Sequence, residues 1–66
     1  MNNPFMGFTI LALTEFVAWA EGQLRVLSHL DSINSTHTEY RERSRQSITL
    51  QMEQARTAKA AKEVAA

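Results

Sequence analysis

Met6, Ile10, Leu13, Val17, Ala20, Leu24 and Leu27 follow one another in alternating steps of four and three. That spacing returns to one side of an α-helix at every step and matches neither face of a strand. The pattern constrains the N-terminal half to a long amphipathic helix with a coiled-coil-like seam. Pro4 suits the first turn of such a helix, because its missing N–H would have no partner there. Gly22 lies inside the run and costs about 1 kcal/mol relative to alanine.

The stretch DSINSTHTEY breaks the pattern and gathers Asp, Ser, Asn and Thr. These side chains bond to their own backbone and compete with helix. Thr36-His37-Thr38-Glu39 fits a capping box, with Thr36 as cap and Glu39 reaching back to it. Beyond it, Glu39 to Glu63 contains no glycine or proline and is rich in good helix formers. The expectation is an all-α chain, a single helical domain over 1–66. It is a two-helix antiparallel hairpin with helices at about 5–31 and 37–63, a polar turn at 32–36 and a frayed end at 64–66. One long continuous helix is the alternative.

A second apolar stripe lies beside the heptad seam on the first helix. Phe5, Phe8, Phe16 and Trp19 fall within an arc of roughly 80° at 100° per residue, and Val26, Leu30 and Ile33 continue it. The second helix cannot cover both stripes. Its large apolar residues are Tyr40, Ile48, Leu50, Met52 and Val64, and only Ile48, Met52 and Ala55, with Tyr40 at the margin, share a face. A hairpin turning near Asn34 sets Ala20 against Ile48, Val17 against Met52 and Leu13 against Ala55. It also brings Glu21 near Arg45 and Glu15 near Arg56. The expected hairpin core is Met6, Ile10, Leu13, Val17, Ala20, Leu24, Leu27, Ile48, Met52 and Ala55. The expected interaction face is Phe5, Phe8, Phe16, Trp19, Val26 and Leu30. Each Phe or Leu left wet forgoes about 2 kcal/mol, so a chain of 66 residues has reason to seek a partner.

Charge supports the hairpin. Net charge is zero, but residues 1–33 carry Glu15, Glu21 and Asp31 against Arg25, while all the other basic residues lie in the second half. Arg41, Arg45, Arg56, Lys59 and Lys62 project within an arc of about 120° on the second helix. Such a stripe can track phosphates or can lie along a hairpin rim, with its stems over apolar surface. The neutral total favours the rim and makes nucleic acid an unlikely partner.

Catalysis and cofactors find no footing. There is no cysteine, hence neither a disulfide nor a thiolate site. His29 and His37 flank the turn near Asp31, but eight positions apart they do not match helical ligand spacing. No phosphate loop or serine elbow is present, so an enzyme is not expected and no cofactor is assigned. The start, MNNPF, has no positive n-region of a secretion signal. Asn34-Ser35-Thr36 therefore reads as turn chemistry, not as a glycosylation sequon.

Pro4 to Ala20 is at the short end of a membrane span and contains Glu15. The leading expectation is a small helical structural or adaptor subunit that packs its apolar face on protein partners. These would be copies of itself or subunits of a larger complex, such as a virus particle or multi-subunit machine. It would reside in the cytoplasm or within the assembled particle. The alternatives are a membrane-associated protein anchored by the first helix and a regulator that binds an acidic or nucleic-acid surface through its basic stripe.

Overall fold

A computed structural model describes residues 3–34 and 36–65 of the chain. They form two helices, α1 (Ile10–Ile33) and α2 (Thr38–Ala65), packed against each other along their length with no strand among the described residues. The hairpin measures 45 × 22 × 14 Å. A single continuous helix is ruled out.

α1 begins five residues later than the apolar periodicity suggests. Thr9 caps it: its backbone is extended, and its Oγ1 accepts from the Ala12 amide at 3.1 Å. Pro4 is accordingly not the first residue of a helix. Residues 4–8 form two successive turns, in which the Met6 amide donates to the Asn3 carbonyl and the Phe8 amide to the Phe5 carbonyl, both at 3.1 Å. Asn3 ties this arm down. Its Oδ1 accepts from the Phe5 amide at 2.9 Å, and its Nδ2 donates to the Gln54 carbonyl of α2 at 2.7 Å.

The arm changes the composition of the core. Phe5 is buried at one end of the hairpin with Leu13, Ala55 and Ala58, and Phe16 and Val17 pack against that cluster. Phe5 therefore belongs to the hairpin's interior, not to its outer face. Met6 and Ile10, expected inside, are exposed. Met6 lies in the turns before α1, where helical spacing does not apply, and Ile10 is the first residue of α1. Ala20 and Met52 are also buried, while Val17, Leu24, Leu27 and Ile48 are half-buried. Alanines at 20, 55 and 58 let the two backbones approach closely, and Leu13 fills the space as the largest side chain wholly removed from solvent.

α1 closes at Asn34, whose amide donates to the Leu30 carbonyl at 2.9 Å. Thr36 does not cap α2. Its amide is captured by Asn34 Oδ1 at 2.8 Å, an Asx-type turn, and the helix starts two residues on. His37 occupies the position before it with φ at +63°, and its carbonyl accepts from the Arg41 amide at 3.1 Å. Ser35, the middle of the sequon, lies outside the described residues. At the other end α2 continues through Val64 to Ala65, so the expected fraying at 64–66 is not found where the chain is described; Ala66 lies outside it.

Candidate docking surface

The turn end of the hairpin is held by an ionic clamp. Asp31, in the last turn of α1, accepts from Arg41 Nε through one oxygen and from Arg45 through the other. Arg41 also donates to the Asn34 carbonyl, and Arg45 to Glu42. The two guanidiniums hold the Asp31 carboxyl below the usual range, the Arg41 hydrogen bond contributing most and the Arg45 bond next. Asp31 in turn holds the Arg45 pKa above its ordinary value. Arg41 is only 8% exposed. A buried guanidinium survives because both a carboxylate and a carbonyl satisfy it. Arg41 is therefore not one of a row of surface cations. It is instead the polar end of the core.

The remaining charges also pair differently from expectation. Arg56 Nη2 donates to Glu21 Oε1 at 3.0 Å, so Glu21 does not meet Arg45, and Arg56 does not meet Glu15. Glu15 is exposed and makes no ion pair among the described residues. It sits one turn before Trp19 on the side of α1 away from α2. Of the basic stripe, Lys59 and Lys62 are half-buried along the hairpin and unpaired among the described residues.

The aromatic residues form a relay from core to surface. Ring centroids lie 5.4 Å apart for Phe8–Phe5, 4.9 Å for Phe5–Phe16 and 5.6 Å for Phe16–Trp19, all tilted, in the range of favourable edge-to-face and offset contacts. Phe5 lies inside and Phe16 is half-buried, whereas Phe8 and Trp19 open to solvent.

From Trp19 the exposed surface continues down α1. Trp19 is 51%, Val26 52% and Ile33 65% exposed, at intervals of seven residues, and Leu30 fills the row between the last two. A seven-residue interval keeps them in one line. Gly22 interrupts the row, and a methyl group added to it would meet nothing within 4 Å. The outer face of α2 presents Glu39, Glu42, Gln46, Glu53 and Thr57, with Leu50 and Val64 exposed singly among them. Where α2 begins, His37, Thr38, Glu39, Tyr40 and Arg43 line a shallow open depression. Arg43 makes no ion pair among the described residues.

Among the described residues no cluster of three or more His, Cys, Asp or Glu could hold a metal ion. No described helix is long and apolar enough to cross a membrane. The chain matches no protein-family model, no curated protein and no solved structure.

Two features of the hairpin are barely marked in the residues themselves. The Arg41–Asp31–Arg45 clamp left a faint signal, two arginines four apart facing an acid across a short turn. Ala58 left a clearer one, standing three residues after Ala55 on the same face.

Proposed function

We propose that the hairpin is a small structural or adaptor subunit of a protein assembly, which acts by laying the outer stripe of α1 against a partner. One observation carries this reading: Trp19, Val26, Leu30 and Ile33 stand in a single exposed row on α1, while the exposed apolar residues of α2, Tyr40, Leu50 and Val64, stand apart among polar ones. Large apolar side chains in a contiguous line mark an interaction surface, where scattered ones do not. Glu15 beside Trp19 supports a protein partner over lipid, since an unpaired carboxylate is costly against hydrocarbon.

The basic residues support a structural use as well. Arg41 and Arg45 face Asp31, and Arg56 faces Glu21. Three of the five stripe cations are thereby neutralised within the chain, which leaves little for a phosphate backbone.

The test is the native size of the protein in an extract of cells that make it, for the natural chain and for Val26→Glu. The reading expects a complex well above the mass of one chain that the substitution breaks down. Migration of the natural chain as a free monomer overturns it.

A further inference from the structure

We infer that residues 3–8 act as a strap, which opens and closes as a unit over an apolar slot at the hairpin's open end while the two helices stay packed. This motion does not depend on what covers the α1 stripe.

The arm is tied to itself more than to the helices. The Met6 amide bonds to the Asn3 carbonyl, the Phe8 amide to the Phe5 carbonyl and the Phe5 amide to Asn3 Oδ1, all within the arm. Among the described residues, its one hydrogen bond to α2 runs from Asn3 Nδ2 to the Gln54 carbonyl. Gln54 lies inside α2, where the amide of Ala58 already serves that carbonyl. Breaking the Asn3 bond therefore strands no group of the helix. Phe5 is the buried side chain of the arm, while Pro4, Met6, Gly7 and Phe8 are exposed. One ring and one hydrogen bond thus oppose the entropy gained when the whole arm is released.

The helices have no need of the arm to stay together. Thr9 starts α1 by itself, through its hydroxyl on the Ala12 amide and its carbonyl on the Leu13 amide. At the far end Asp31 binds Arg41 and Arg45, and between the two ends Ala20 and Met52 are buried. Opening the strap breaks none of these contacts. It costs far less than unfolding, which makes it a sub-global motion with the open form in the minority.

Opening uncovers a defined surface. Phe5 leaves behind a slot lined by Leu13, Phe16, Ala55 and Ala58. Phe16 is also the neighbour of Trp19, with ring centroids 5.6 Å apart. The exposed apolar surface of α1 then runs from Trp19 into the slot. The strap gives that surface two lengths, short when closed and long when open.

Thiol labelling of the full chain tests the strap. The sequence has no cysteine, so one introduced thiol reports only its own exposure. Ala58→Cys places it in the slot and Ala20→Cys midway along the hairpin, both at wholly buried positions. Ala55→Cys serves as the slot position should Ala58→Cys lose helicity by circular dichroism. The slot thiol should be alkylated at least about tenfold faster than that of Ala20→Cys, at a rate nearly insensitive to low urea. Amide exchange over residues 56–60 of the same variant reports fraying of α2, and should indicate opening at least about tenfold rarer than labelling does. Adding Phe5→Ala should speed labelling of the slot thiol on the order of a hundredfold, with the helices retained. A slot thiol no faster than that of Ala20→Cys overturns the strap. So does labelling in step with the 56–60 amides, or a rate indifferent to Phe5→Ala.

Discussion

Phe5, five residues before α1 begins, places its ring 4.9 Å from that of Phe16 inside α1. A residue outside any helix thus completes the core between the two helices, and the hairpin's open end depends on a folded-back arm. Phe5→Ala should cost about 3 kcal/mol, because it leaves a cavity against Leu13, Ala55 and Ala58. Phe8→Ala, at a residue already 44% exposed, should cost roughly 1 kcal/mol. Urea unfolding of the two variants checks the difference, and equal losses would show that the arm is not part of the core.

The Asp31 clamp makes stability depend on acidity. Its carboxyl is held below the ordinary aspartate value by Arg41 first and Arg45 second, so the folded state binds the proton less readily than the unfolded chain. The stabilisation is present above the unfolded value of about 3.9 and is lost as pH falls below it through the depressed folded value. Thermal melts between neutral pH and pH 2 should show a drop in that acidic window that is smaller in Asp31→Asn. At neutral pH, Arg41→Met should lower the melting temperature more than Arg45→Met, since Arg41 is the more buried and alone holds the Asn34 carbonyl.

His37 adopts a left-handed backbone conformation, at φ +63°. Its Cβ makes that conformation unfavourable, whereas glycine occupies it freely. His37→Gly should stabilise the hairpin by on the order of 0.5–1 kcal/mol. Thr36→Ala should be close to neutral, because it is the Thr36 amide that bonds to Asn34 and alanine retains it. Chemical denaturation of both variants ranks them. A loss of about 1 kcal/mol in Thr36→Ala would return the cap to Thr36.

Gly22 lies in the interior of α1 with open space where a side chain would begin. At concentrations low enough to keep the chain monomeric, Gly22→Ala should stabilise it by about 1 kcal/mol. A neutral or negative change in a dilute thermal melt would mean that the helix is not continuous through this position.

Glu15→Leu separates protein from lipid as the destination of the stripe. The natural chain should not float with liposomes, and the leucine variant should bind them more than the natural chain does, since it loses the most costly residue for that environment. Tight binding by the natural chain would favour the membrane.

How far the fold can be read from the residues follows from what each signal depends on. Leu13, Val17, Ala20, Leu24 and Leu27 announce a helix because their spacing is a property of the helix itself. The loss of that spacing after Leu30 announces the turn. Phe5 misleads because its spacing continues the helical pattern, while its position is decided by Thr9, whose hydroxyl starts α1 behind it. His37 gives no warning of a left-handed backbone, since neither glycine nor asparagine stands there. Arg41 shares the helical face of other cations, and only its reach to the Asn34 carbonyl, a tertiary relationship, explains its burial. On the outer stripe, Trp19, Val26 and Leu30 are visible from periodicity alone. Phe5 and Phe16 are drawn off toward the interior by the arm.

The Asn3–Gln54 hydrogen bond joins positions 51 apart in the chain. Closing so long a loop is entropically expensive unless the helices have already brought its ends together. Folding should therefore start near the Asp31–Arg41 turn and zip toward the open end, with the arm docking after the rate-limiting step. Substitutions at Asn3 or Phe5 should leave the refolding rate nearly untouched and speed unfolding instead. The arm would act as a latch on the lifetime of the hairpin, setting how often its far end opens.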